Sequence, residues 1–265
     1  MSDDDDRLPS FERVLFPAAA LELCLVQVKF PPLARFGESG YLSALKEALG
    51  EEYPLASSEQ AMNIIVTPRG VTSAPGGDLL RFTSIDSTWS VVLSHESVSL
   101  ETRHYSNIDE FAARFGTILR QVETHLHPRY QLRFGLRYVN EFRHPRGDSY
   151  DGWRALLNPD LLEGPQDVVG GAVEQTISEL RIRRADGILL LRHGFLSGTT
   201  VAPVGRKPPK TGPFYLLDLD YYDETAAEFD PDPGRRMQTY NGFMYNVFRW
   251  CIGDGELYRA LGGQT

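Results

Sequence analysis

The sequence predicts an α+β protein, with two related halves of antiparallel sheet, each backed by a long helix. Three observations carry this. Short apolar segments follow one another through turns too tight for parallel crossovers, which demands antiparallel pairing. Two long stretches, Ile108–Leu126 and Arg235–Ile252, carry apolar residues at helical spacing. The order is strands, long helix, strand and loop, strands, long helix, which fits sheets with helices on one face. The half-sheets stand apart or join as one continuous curved sheet.

Residues 1–10 open with Met1-Ser2-Asp3-Asp4-Asp5-Asp6 and read as a disordered acidic tail. Residues 11–145 make the N-terminal α+β half. Its first strand is Leu21–Phe30, ended by Pro31-Pro32. A helical pattern over Phe36–Leu49 places Tyr41, Leu42, Leu45, Ala48 and Leu49 on one face. Strands follow over Ala61–Thr67, Asp78–Ile85, Trp89–Ser94 and Ser97–His104. Helix Ile108–Leu126 starts at a cap supplied by Ser106 or Asn107. It buries Phe111, Phe115, Ile118, Leu119 and Val122, and Pro128 stops it. Strand Arg133–Asn140 completes this half.

Residues 146–172 form a Gly-, Pro- and Asp-rich connecting segment with a short helix near Trp153–Leu157. Residues 173–265 make the C-terminal half. Glu174–Arg184 and Ile188–Phe195 form a hairpin closed at Asp186-Gly187. Ser197–Gly212 is a polar loop, and Phe214–Tyr222 is a strand. The closing helix turns Met237, Tyr240, Met244, Val247, Phe248 and Cys251 inward, and Glu256–Leu261 adds a last turn. The two halves repeat in topology only.

Composition narrows the function classes. The chain has 265 residues, 42% hydrophobic and 24% charged, which is ordinary for a soluble globular protein. The net charge of −9 argues against nucleic acid as a partner, because phosphate contacts need a basic surface. No apolar run is long enough for a membrane span. The acidic N-terminus lacks the basic region of a signal peptide, so the reading is cytoplasmic. Cys24 and Cys251 sit in apolar stretches and read as buried thiols.

Residues Arg81-Phe82-Thr83, Val98-Ser99-Leu100-Glu101-Thr102, Tyr105, Phe111, the Arg133–Asn140 strand, Leu217-Asp218-Leu219-Asp220 and the helix ending near Phe248 form an ordered pattern. It resembles a sporadically distributed, functionally uncharacterised family of prokaryotic proteins of about this length, and spans Pro17 to Gly262. The strand motif Gly-Leu-Arg-Tyr-Val-Asn is its most specific part. The resemblance implies one full-length unit in a bacterial, intracellular setting and brings no catalytic residues with it.

The Arg133–Asn140 strand alternates with period two. Leu132, Phe134, Leu136 and Tyr138 fall on one face; Arg133, Gly135 and Arg137 fall on the other. In Phe214–Tyr222, Asp218, Asp220 and Tyr222 share one face, and Tyr215, Leu217, Leu219 and Tyr221 the other. Two readings compete for these charges. In one, the charged faces meet and Arg–carboxylate forks neutralise the patch as a structural network. In the other, the faces line a pocket. Arg133, Arg137, Asn140, Asp218, Asp220 and Tyr222 are then the ligand-binding set, with Arg137 on an anion and Asp218 or Asp220 orienting a polar group.

The leading functional expectation is a non-catalytic intracellular binding or regulatory protein. Its charged sheet face and the Ser197–Gly212 loop would engage a partner protein or an anionic small molecule, with no cofactor. The alternative is a metal-dependent phosphoester enzyme using Asp218 and Asp220. RNA binding by two ferredoxin-like halves is a third class. The acidic balance and the lack of a glycine-rich C-terminal loop count against it.

Other motifs carry less. His95-Glu96-Ser97 and His104-Tyr105-Ser106 resemble the paired elements of two-histidine phosphoesterases, but they lie at opposite ends of one strand rather than on facing strands. His125 and His127 suit a helix C-terminus. His193 reads as a satisfied sheet histidine. No zinc spacing, nucleophile elbow, P-loop or dinucleotide fingerprint occurs. Arg206, Lys207 and Lys210, beside Arg181, Arg183 and Arg184, form a basic patch that reads as a solvated loop and a blunted hairpin edge.

Overall fold

In a computed structural model, the short-turn strands pair antiparallel. The structure describes residues 7–17, 20–38, 40–67, 70–164, 166–197 and 210–263. Most of the expected acidic tail and most of the Ser197–Gly212 loop, with Arg206 and Lys207, lie outside the described residues. The protein is α+β: nine strands form an antiparallel sheet with hydrogen-bonded order β2-β3-β4-β5-β1-β7-β10-β9-β8, and a two-stranded sheet pairs β11 with β6. No described helix is long and apolar enough to cross a membrane.

The elements run β1 (Leu21–Lys29), α1 (Ser43–Gly50), β2 (Leu55–Thr67), β3 (Gly70–Thr83), β4 (Trp89–Ser94), β5 (Ser97–Thr102), α2 (Ile108–Leu126), β6 (Tyr130–Gln131) and β7 (Arg133–Phe142). Then come α3 (Tyr150–Arg154), a 3₁₀ turn at Pro159–Leu161, α4 (Gln166–Val169), β8 (Ser178–Arg183), β9 (Ile188–Leu196), β10 (Phe214–Asp223), β11 (Ala227–Glu228), α5 (Gly234–Ile252) and α6 (Glu256–Ala260). The chain divides into two units, one of Met1–Cys24, Arg137–Tyr222 and Gln238–Thr265, the other of Leu25–Leu136 and Asp223–Met237.

In the Leu25–Leu136 unit, β2 to β5 form a meander. Its first hairpin is longer than the two strands expected from sequence: Leu55 pairs with Thr83 and Thr67 with Gly70 across one register shift. Pro75, Gly76 and Gly77 interrupt the apolar alternation, which hid the start of β3. Trp89, Val91, Leu93, Val98 and Leu100 are buried. The Trp89 and Phe111 rings lie 5.8 Å apart, so α2 covers this face. Helix α2 has the expected start and stop. Asn107 accepts a hydrogen bond from the Glu110 N–H, and His127 ends the helix in the left-handed region.

In the Arg137–Tyr222 unit, α5 packs on the face of β10 that carries Tyr221, whose ring sits 4.7 Å from both Tyr240 and Phe243. Trp153 of α3 packs on Tyr215 of the same face. The segment before β1 straps α5. Phe11 N–H donates to Asn246, Val14 N–H donates to the Tyr245 hydroxyl, and the Phe16 ring packs on Phe248 and Tyr258. Hairpin β8–β9 closes through Arg184 N–H donating to the Gly187 carbonyl. Gly187 serves close approach here, since an added Cβ would sit 2.9 Å from the Tyr221 ring.

Candidate functional site

Alternation sorts β7 as the sequence predicts. Arg133 and Arg137 are its two half-exposed residues, and the other eight are buried. On β10, Phe214, Leu216, Asp218, Asp220 and Tyr222 point away from the α5 face. Pairing of β10 with β9 sets Asp218 opposite Arg192, and pairing of β9 with β8 sets Arg192 opposite Glu179. One rung of the sheet therefore carries three charged side chains, and Arg137 joins from β7.

The contacts are specific. Arg137 donates from Nε to Asp218 Oδ1 at 2.8 Å and from Nη2 to Oδ2 at 2.7 Å, a two-bond fork. Arg192 Nη1 lies 3.6 Å from Asp218 Oδ2, and Arg192 Nε donates to Glu179 at 2.5 Å. The Asp218 side chain is 4% exposed, whereas those of Arg137 and Arg192 are 35% and 34% exposed. The Asp218 bonds raise the Arg137 pKa, burial opposes them, and the charge of Asp220 adds to the rise. The network is thus a buried carboxylate held by two guanidiniums that reach solvent.

The other sequence-predicted residues fall in different places. Arg133 belongs to the Leu25–Leu136 unit, where Nη1 lies 3.4 Å from Gln27 Oε1. Its guanidinium folds back over Gly135, where a Cβ would meet it at 2.6 Å. Asn140 falls by alternation on the face of Phe134, Leu136 and Tyr138, opposite Arg137. It is buried and donates from Nδ2 to the Leu217 carbonyl at 3.2 Å, a sheet-stitching bond rather than a ligand contact. Tyr222 is buried, and its hydroxyl accepts from Arg181 Nε at 3.1 Å. Asp220 is half-buried on the charged face. So Arg137 and Asp218 come together, Asp220 and Tyr222 flank them, and Asn140 does not join.

The strand motif now has a physical account. Gly135 leaves room for Arg133, Leu136 is fully buried and Arg137 forks Asp218. Tyr138 accepts from Asn241 of α5 at 2.8 Å, and Asn140 ties β7 to β10.

Sequence reasoning missed two features. The first is Arg192 with Glu179, whose shared face is implied by the alternation of the hairpin strands. The second lies in the Leu25–Leu136 unit. Arg81 donates from Nε to Glu59 at 2.9 Å and from Nη1 to Glu101 at 2.7 Å. Burial works against the Arg81 charge, but Glu101 and Glu59 outweigh it and raise the pKa.

A shallow cleft of about 340 Å³ opens between Arg143, His144, Asp148 and the 211–213 segment. Arg143 is spent on holding its wall: Nη1 donates to the carbonyls of Thr211 and Gly212, and the guanidinium lies over the Phe214 ring. His193 is the satisfied sheet histidine expected. Its Nδ1 shares a 2.7 Å hydrogen bond with the Tyr215 hydroxyl, and burial lowers its pKa. Both cysteines are buried free thiols. Lys210 pairs with Glu22.

Among the described residues, no group of three or more His, Cys, Asp or Glu could hold a metal ion. The fold and site define an antiparallel α+β protein with a charged, internally paired sheet face. Compared with known proteins, the chain matches no family model and no curated sequence.

Proposed function

We propose that this is a non-catalytic binding or regulatory protein of the cytoplasm, and that it engages a partner protein through the Arg137–Asp218–Arg192–Glu179 face. One observation carries the reading: Arg137 is forked by the buried Asp218 and Arg192 is held by Glu179, 3.6 Å from the same carboxylate, yet each arginine leaves a third of its side chain to solvent. Such a fork is pre-organised, so a partner's backbone or side-chain carbonyls lose little entropy in meeting it. A small anion is the weaker candidate, because Asp218 already answers the charge of Arg137 and would repel a second anion. Metal-dependent phosphoester chemistry is weaker still. Both oxygens of Asp218 accept from Arg137, which competes with a cation for them.

The test compares wild type with Arg192→Gln in affinity capture from the native host, with thermal melts alongside. A stoichiometric protein lost from the variant at unchanged Tm supports the reading. Equal recovery by both proteins overturns it. A melt shift with Mg²⁺ or Mn²⁺ would bring back the enzyme reading, since a ligand of the native state stabilises it by mass action.

A further inference from the structure

We propose that β8 pairs antiparallel with β8 of a second copy of this chain, two-fold about Leu180, to form a homodimer through the sheet edge. The inference goes beyond the partner-protein reading and shares only Glu179 with it; that reading is tested at Arg192, this one at Leu180 and Arg181.

Among the described residues, strand β8 is the last in the hydrogen-bonded order, and all six of its residues are exposed. Leu180 and Ile182 are 49% and 44% exposed, and Ile177 just before them is 59% exposed. Soluble proteins blunt such edges with proline, bulges or charge. Strand β8 contains no proline and pairs with β9 without a register shift. Its blunting rests on charge alone.

The backbone dictates which registers are open. Thr176 N–H donates to the Phe195 carbonyl, and Arg184 N–H donates to the Gly187 carbonyl. By the antiparallel alternation, Ser178, Leu180 and Ile182 also turn their backbone groups to β9. Ile177, Glu179, Arg181 and Arg183 therefore turn theirs to the open edge. A two-fold pairing must set odd residues against odd residues.

Centred on Glu179 or Arg181, it sets a residue against its own like charge. Centred on Ile182, it sets Arg181 against Arg183 of the second copy. Centred on Leu180, it sets Glu179 against Arg181 of the second copy, twice by symmetry, and sets no like charges opposite. Opposite charges across strands stabilise and like charges oppose pairing. The Glu179 side chain is 55% exposed while it holds Arg192, so it has room for a second guanidinium. Arg181, which donates from Nε to the Tyr222 hydroxyl within its own chain, exchanges that neutral contact for the carboxylate across the seam. On the other face, Leu180 meets its own counterpart and Ile182 meets Ser178 of the second copy, which covers the two apolar side chains exposed on that face. A two-fold contact of this kind is self-complementary and closed.

The test uses the full chain. Sedimentation equilibrium should give twice the monomer mass for wild type and the monomer mass for R181E. L180C should form an intermolecular disulfide under copper–phenanthroline. A non-hydrogen-bonded antiparallel pair brings its Cα atoms to about 4.5 Å, within disulfide span. I182C should not, because it faces a serine. The buried native cysteines do not compete.

The cysteine pair keeps the test decisive if R181E does not fold. A wild-type monomer at the highest attainable concentration overturns the proposal. So does a dimer indifferent to R181E, or I182C cross-linking as well as L180C. A monomer that instead captures an acidic extended peptide would make the edge a docking site for another protein, and would equally overturn the dimer.

Discussion

Arg137 and Asp218 share two hydrogen bonds of 2.8 and 2.7 Å, but not their exposure: the guanidinium is 35% exposed and the carboxylate 4%. The asymmetry sets the cost of breaking the pair from either side. Without Arg137 the carboxylate is stranded in a buried site. Without Asp218 the guanidinium can rehydrate.

Arg137→Ala should therefore destabilise the fold by about 2–3 kcal/mol, the buried-pair range discounted for the solvent at Arg137. Asp218→Ala should cost only about 1 kcal/mol. The double variant should be less unstable than the sum of the two, with a coupling of about 1–2 kcal/mol. Urea denaturation of the four proteins measures all of this; additive effects would mean the fork contributes nothing.

The Arg81 node follows the same logic with two acids. Glu101 is 12% exposed and Glu59 41%. Arg81→Ala leaves a half-buried carboxylate without its cation and should cost about 2 kcal/mol. Glu59→Ala removes the more exposed partner and should stay within about 0.5 kcal/mol. Thermal melts that rank Glu59→Ala as the worse variant would contradict this.

Acid should weaken the fold through His193. Burial lowers its pKa, so the unfolded chain binds the proton more readily than the folded one. Stability is then full above the ordinary histidine pKa near 6.5, and falls as pH drops below it toward the lowered folded value. The slope from one proton cannot exceed about 1.4 kcal/mol per pH unit. Urea midpoints at several pH values between 8 and 5 should slope less steeply in His193→Gln than in wild type.

Neither thiol should react in the native state. Cys251 is fully buried, which pushes its pKa up to about 12, and burial also raises Cys24 despite its bond with Tyr138. Ellman's reagent should find no fast thiol in native protein and two in denaturant.

Period-two and helical patterns made much of the fold legible. Burial leaves Arg133 and Arg137 as the two half-exposed residues of β7, and the Asn107 cap and the buried stripe of α2 are as the sequence predicts. Sequence reading missed the start of β3, because Pro75 and the glycines beside it erase the alternation while the backbone still pairs. It also missed the strap at Phe11–Phe16, which has no periodic signal and is held by contacts with α5 and α6.

Local chain chemistry by itself determined that Arg137 and Asp218 lie on charged faces of half-buried strands. Side-chain alternation is a property of one strand and needs no partner. Only the tertiary structure decided that those faces meet, that Arg192 and Glu179 extend the rung, and that Asn140 turns inward to the Leu217 carbonyl. Strand order and register arise from long-range pairing, where β7 and β10 meet across a stretch of more than 70 residues, and no local pattern encodes that.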